Sequence, residues 1–274
     1  MAAAHEFDAY FRQRAQDADS YGGVYASRFH MAQFVAHRPE TRIYFADSDI
    51  TGHVVRMFVP ATDQDGWQPE ASAAIPIPSR IEGDTLYVGV VHAALDQIGP
   101  EWLPNVHVWP QPLNLLNQPD FVAFSWSRPD AEGFLEHMTS VGQPLGSDFE
   151  LGAYASSRTA DGLMTYALWR PLAPSGPYDM YIHLLDASGR QVGQSDRLVW
   201  PVRDFRAASE GLGPVLRGYF DEGREAEDRL LTRHEFKLPA GQYTAEIGLA
   251  HRDPQNPANI TAAVASVRLP VQAD

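Results

Sequence analysis

Cysteine is absent from the 274 residues, and lysine occurs once, at Lys237. The first absence removes disulfides, thiolate zinc sites and cysteine nucleophiles, and it leaves the redox compartment open. The second leaves no lysine network for Schiff-base or phosphate-loop chemistry. No apolar run approaches the ~20 residues of a membrane-spanning helix. Positive charge is scarce: 21 Lys+Arg against 35 Asp+Glu give a formal net charge of −14. That balance disfavours nucleic-acid phosphates and anionic lipid as partners. What is present suits a folded chain. Hydrophobic residues make up 44% and charged residues 20%, enough to bury a core. Gly 21 and Pro 21 argue for many turns and against a helical bundle. Met1–Phe7 carries neither a basic stretch nor an apolar run, so no secretory leader is expected there.

Hydrophobic periodicity divides the chain. Phe7, Tyr10, Phe11 and Arg14 follow helical spacing, and Gly22-Gly23 interrupts it. Tyr25, Phe29, Ala32 and Val35 form a second helical stripe, stopped by His37-Arg38-Pro39. Thr41–Ala46, Leu86–Val91, Val106–Trp109 and Phe121–Trp126 read as strands, with a short helix expected over His92–Ile98. Residues 60–84 read as loop. So does 129–147, with one helical turn around Phe134–Met138. After residue 148 the pattern becomes one of short strands: Phe149–Tyr154, Leu163–Trp169, Tyr178–Leu185, Gln191–Ser195, Leu230–Lys237, Tyr243–Leu249 and Ile260–Leu269. Asp161-Gly162 and Ser188-Gly189 are hairpin-type turns between them. Residues 200–228 form a long polar insertion. The expected fold is an α+β two-part chain: an N-terminal helical arm (1–20), a small α/β unit (21–146) and an antiparallel Ig-like or jelly-roll β-sandwich (147–274). Tyr166, Leu168, Tyr181, Leu185, Tyr243, Ile247 and Leu249 are its expected core positions.

Two stretches carry a family resemblance. One is Tyr10-Phe-Arg, Tyr25 and Phe29-His-Met-Ala-Gln-Phe-Val-Ala-His-Arg-Pro-Glu-Thr-Arg-Ile-Tyr-Phe. The other is Leu168-Trp-Arg-Pro-Leu-Ala-Pro, Tyr181-Ile-His-Leu-Leu-Asp-Ala-Ser-Gly-Arg, Gln194-Ser-Asp196 and Leu238-Pro-Ala-Gly-Gln-Tyr-Thr-Ala-Glu-Ile-Gly-Leu249. In this order they resemble the C-terminal extracytoplasmic region of bacterial membrane glycosyltransferases of the dolichyl-phosphate-mannose mannosyltransferase-like type. The resemblance implies a small α/β unit followed by a β-sandwich, outside the membrane and joined to a membrane domain upstream. It implies no catalytic residue here, because that family's catalytic acid lies between membrane helices.

Few residues suggest chemistry. Asp47-Ser-Asp49, with His53 nearby, is the most metal-like cluster; a carboxylate pair after a strand suits Mg²⁺ or Mn²⁺, and the same pair suits a turn and helix cap. Asp63 and Asp65 are further acids for a metal-dependent, sugar-processing reading. His183 and Asp186 fall on opposite faces of a strand, so no dyad is expected; Asp186 instead suits the Ser188-Gly189 turn. There is no Gly-x-Ser-x-Gly, Gly-x-Gly-x-x-Gly or Walker A sequence. Indoles stack well on the apolar faces of sugars. Trp169 and Tyr243 read as sandwich core and Trp109 and Trp126 as α/β core, whereas Trp67, Trp200 and Tyr219 are the candidate ligand contacts. The expectation is a non-catalytic recognition region that contacts glycan or an envelope protein, with no cofactor. A free-standing carbohydrate- or protein-binding module is the alternative, and an enzyme using Asp47 and Asp49 the third.

Overall fold

The computed structural model describes residues 25–38, 42–46, 64–67, 73–90, 102–110, 121–172, 178–199, 228–253 and 260–273. The chain is rich in strand, and its sheets are mostly antiparallel. It divides into two compact units: residues 1–68 with 81–131, and residues 69–80 with 132–274. Among the described residues no helix is long and apolar enough to cross a membrane.

The first unit holds helix α1 (Tyr25–Ala36) and strands β1 (Arg42–Ala46), β2 (Gln64–Trp67), β4 (Thr85–Val90), β5 (His107–Val108) and β6 (Phe121–Trp126). They form one mixed sheet in the order β2-β1-β4-β6-β5, with β1 parallel to both β2 and β4. Of the helical stripe the structure describes the side chain of Val35, with Met31 beside it; those of Tyr25, Phe29 and Ala32 lie outside the described residues. Met31 and Val35 bury completely against Ile43, Leu86, Val88, Phe121 and Ala123 on one sheet face. The opposite face carries an aromatic ladder, Tyr44, Tyr87 and Phe124, in direct register across β1, β4 and β6, with ring centroids 5.5 and 4.9 Å apart. Basic side chains close the helix C-terminus: Arg38 Nη1 donates to the Phe34 carbonyl at 2.5 Å, and its Cζ lies 3.6 Å from the Phe34 ring and 4.2 Å from Trp109.

Helix α2 (Arg128–Glu136) occupies much of the segment expected to be loop. Ser127 is its N-cap: Oγ accepts from the Asp130 amide at 3.2 Å, and the Asp130 carboxylate reaches back to the same hydroxyl. Strand β7 (Thr139–Leu145) follows, also within the expected connection, and the run 60–84 contains β2 and β3 (Ile75–Ile77). Pro76 fits its place because β3 is an edge strand.

The second unit has two sheets. One, in the order β3-β12-β9-β8-β7, uses β12 (Arg229–Phe236), β9 (Gly162–Pro171) and β8 (Phe149–Thr159). The other, in the order β11-β10-β13-β14, uses β11 (Gln191–Val199), β10 (Tyr178–Leu185), β13 (Gly241–Arg252) and β14 (Ile260–Ala273). Both give their inner faces to a single apolar cluster, an arrangement that fits a β-sandwich. Phe149, Leu151, Ala167, Trp169 and Leu230 come from the first sheet; Tyr178, Met180, Ile182, Leu184, Ala245, Ile247 and Leu249 come from the second.

Strand parity corrects the expected core. Ile247 and Leu249 are inner and fully buried. Tyr181 shares its face with His183, as expected, but that face is the outer one, and Met180, Ile182 and Leu184 fill the core instead. Tyr166, Leu168 and Leu185 are buried as expected, to 8%, 5% and 7% exposure, but on the outer parity and outside the inter-sheet cluster, with Phe134 edge-on to Tyr166 at 5.3 Å. Tyr243 is partly buried at the core margin. Both parities of β9 and β10 are largely apolar or aromatic, so alternation alone did not choose the inner face.

The margins of the two sheets are joined by side chains. On one side Arg197 Nε donates to the Arg233 carbonyl at 3.0 Å and His234 bonds Ser195. On the other, the Tyr154 hydroxyl of β8 donates to the Pro270 carbonyl of β14 at 3.0 Å. Trp169 lies wholly inside, its indole N–H donating to Thr232 Oγ1 at 3.0 Å. Trp169→Ala is expected to cost ~3–5 kcal/mol, the usual range for a buried aromatic. A urea-melt loss under ~1 kcal/mol would place the indole outside the core.

Candidate functional site

Most of the candidate metal and ligand residues lie outside the described residues: Asp47, Asp49, His53, Asp63, Trp200 and Tyr219. Asp65 and Trp67 have their backbone in β2, and their side chains are outside what the structure describes. The Asp186 turn is as expected. Asp186 Oδ1 accepts from the Ser188 amide at 2.9 Å and the Arg190 amide at 3.0 Å, while Gly189 takes φ 79°, a left-handed value that favours glycine. These hydrogen bonds, led by that of the Ser188 hydroxyl, hold the carboxyl below its ordinary pKa. Trp126 is fully buried, as expected of α/β core. Trp109 is only partly buried, with its indole N–H donating to Ser125 Oγ at 3.1 Å.

The richest group of polar side chains is one that sequence reading did not assemble. It lies on the outer face of the β11-β10-β13-β14 sheet. Register puts Asp196, Tyr181, Gly248 and Ser266 in one row across the four strands, and Gln194, His183, Glu246 and Arg268 in the next. Tyr181 and His183 stack, with centroids 4.6 Å apart and planes 24° from parallel. His183 Nε2 faces Asp196 Oδ1 at 3.5 Å, with side-chain exposures of 26% and 32%. Gln194 donates to Asp196 at 2.5 Å. Arg268 holds Glu246 Oε2 through Nε and Nη2 at 3.1 and 3.0 Å, and Ser266 donates to Glu246 Oε1 at 3.0 Å.

Tyr181 leans across β13. A Cβ placed on Gly248 would come within 2.2 Å of both Cζ and Oη of that ring, so only glycine leaves the phenol its path to β14. Its hydroxyl hydrogen-bonds the Ser266 side chain. Burial, and then the Glu246 and Asp196 carboxylates, push its pKa above the ordinary tyrosine value, with the Ser266 bond working the other way. The group is therefore a neutral donor and acceptor at physiological pH. The same face runs on to Asp179, 2% exposed, which Arg252 Nη2 holds at 2.6 Å.

The hydrogen bonds on this face run mainly between its own polar groups. Its acids and bases are paired with each other, and no hydroxyl stands against a histidine nitrogen as an activated nucleophile does. Two other places come nearer to that pattern. His251 Nε2 lies 3.2 Å from Asp148 Oδ2, but the neighbouring Ser147 hydroxyl donates to the acid, at 3.0 Å, and not to the imidazole. Ser195 Oγ lies 3.0 Å from His234 Nδ1, yet His234 is wholly buried in the core. Burial, and next the charge of Arg197, lower its pKa to about 3. A base that weak does not activate a serine near neutral pH. His234 is instead satisfied as the neutral Nδ1–H tautomer, donating to the Ser195 carbonyl at 3.1 Å and accepting from Thr232 Oγ1 at 3.0 Å. Among the described residues no group of three or more His, Asp or Glu could hold a metal ion.

The buried imidazole makes stability depend on pH with a definite sign. Below the ordinary histidine pKa of ~6.5 the unfolded chain takes up a proton that the folded state refuses down to about 3. Stability from this group is therefore complete above pH 6.5 and lost as pH falls through that window, by up to ~1.4 kcal/mol per pH unit. Urea midpoints between pH 7 and pH 5 are expected to fall more steeply for the wild type than for His234→Gln. Parallel slopes would show that the imidazole is not held neutral.

No protein-family model matches the chain, and no curated protein is significantly similar to it.

Proposed function

We propose that this chain is a non-catalytic recognition module whose outer β11-β10-β13-β14 face contacts glycan. One observation carries the reading: the Tyr181–His183 stack set among Gln194, Asp196, Glu246, Ser266 and Arg268 on a rigid sheet. Sugars present hydroxyls that both donate and accept, alongside apolar C–H faces. Carboxylates, an amide, a hydroxyl and a neutral phenol satisfy the former, and aromatic rings the latter. Strands hold these groups at fixed spacing, so little ordering entropy is spent on binding. A net charge of −14 favours neutral glycans over anionic ones.

The wider reading belongs to the same proposal. The first unit is a small α/β unit and the second an antiparallel sandwich of the Ig-like or jelly-roll kind. The whole is an extracytoplasmic accessory region of a membrane glycosyltransferase-like protein. The resemblance in Phe29–Phe45 and Leu168–Leu249 supports that attachment, and the outer sheet face supplies the contact.

Titration calorimetry against a panel of neutral and acidic oligosaccharides tests it. Binding of a neutral glycan is expected, weakened about tenfold or more in Tyr181→Ala and Glu246→Gln, the scale of one hydrogen bond to a charged group. Gly248→Ala should do the same by displacing the Tyr181 ring. Binding that ignores all three substitutions would move the site elsewhere on the chain.

A further inference from the structure

We propose that Arg197, with Arg233 beside it, is a binding site for the carboxylate group of a small acidic ligand, at the β11–β12 margin of the second unit. The argument begins with where Arg197 goes. Its residue pairs with Met180, so it shares the inner parity of β11, but β11 is the last strand of its sheet. The side chain therefore passes over the margin to β12, where Nε donates to the Arg233 carbonyl at 3.0 Å. That bond fixes the guanidinium plane. It leaves the two terminal amino groups, the end-on fork that matches a carboxylate. Arg197 is half-buried and forms no ion pair among the described residues.

Its charged surroundings leave it under-compensated. From β12, Arg233 adds a second cation and gives its own Nη2 to Glu235, whose side chain is 60% exposed, and its Nε to Met164 Sδ at 2.9 Å. The adjacent acid on β11, Asp196, turns to the outer face and engages Gln194 and His183. Arg197 thus lies near a second guanidinium and has no ion pair of its own among the described residues, in a chain that elsewhere carries an excess of acid. Burial lowers the pKa of Arg197 first; Glu235 and Asp196 oppose that, and Arg233 adds to it. A desolvated cation without a close partner is costly, and an anion that docks on the free fork recovers part of that cost. A monoanion suits the place better than phosphate. The open donors form a planar end-on pair, a second negative charge would meet the field of a −14 chain, and the acid already nearest is itself a carboxylate.

The test uses acetate and glucuronate, titrated into ¹⁵N-labelled whole protein at constant ionic strength, with chloride and inorganic phosphate as the comparison anions. Arginine side-chain N–H signals and the amides of β11 and β12 are followed. Expected is a saturable shift at Arg197 and Arg233 with both carboxylates, abolished in Arg197→Gln. Glu235→Gln, an exposed change that should fold even where Arg197→Gln does not, removes the internal competitor and should tighten acetate binding several-fold. Equal responses to chloride and acetate, saturation by phosphate alone, or an affinity unchanged by Glu235→Gln would each overturn the assignment. Acetate carries no sugar ring, so failure here leaves the glycan face standing, and the converse holds as well.

Discussion

A chain of neutral hydrogen bonds through the core of the second unit fixes much of the rest. Trp169 donates to Thr232, Thr232 to His234, and His234 to the Ser195 carbonyl. These residues lie on β9, β12 and β11, so the chain crosses from one sheet to the other. Each polar atom buried there has a partner, which is the condition for tolerating polar groups inside an apolar cluster. The condition also demands an uncharged imidazole. A charged imidazole would be stripped of water inside the core and would stand beside Arg197. The core thus specifies the position of β11 against β12 more sharply than apolar contact alone would, because hydrogen bonds have direction and dispersion does not.

That placement propagates outward. Once Ser195 is held inward, its neighbours Gln194 and Asp196 are committed to the other face, where they meet His183. The rows that include Glu246 and Arg268 follow from the pairing of β10 with β13 and of β13 with β14. This polar outer face is the reverse side of a well-determined core, and its precision derives from residues that never reach solvent. Gly248 contributes by lacking a side chain: the space above it is what Tyr181 occupies.

The strands of the second unit were legible because β-branched and aromatic runs between Asp-Gly and Ser-Gly turns leave little choice of local structure. Tyr178–Leu185 was read with the bounds that it has. Its inner face was not, since Tyr181 and Leu185 on one parity look as apolar as Met180 and Leu184 on the other. The pairing of His183 with the Asp196 strand was also hidden. A register shift between Leu184 and Leu185 changes which β11 residues share a face with Tyr181, and a one-residue change of that kind exchanges inside for outside. Helix α2 could have been found: Ser127-x-x-Asp130 is a capping-box variant, and Pro129 is tolerated in a first turn. β3 was obscured by Pro76, which reads as loop until a strand margin is known to be there.

The bond from Tyr154 to Pro270 has a bearing on how copies of this protein coexist at high concentration. β14 runs fourteen residues and, among the described residues, has a partner strand on one side only. A long free margin of this kind is the template on which chains add to one another and precipitate. Pro270 sits opposite Thr244 with its carbonyl turned away from β13 toward the phenol, so the missing N–H falls on the same free side. At that one position an arriving strand finds neither a donor nor an unclaimed acceptor. The ladder it would build is cut into two short pieces, each weaker than the whole. The ladder at this margin is thus interrupted by an imino acid and a hydroxyl, without recourse to the lysines that the chain almost entirely lacks.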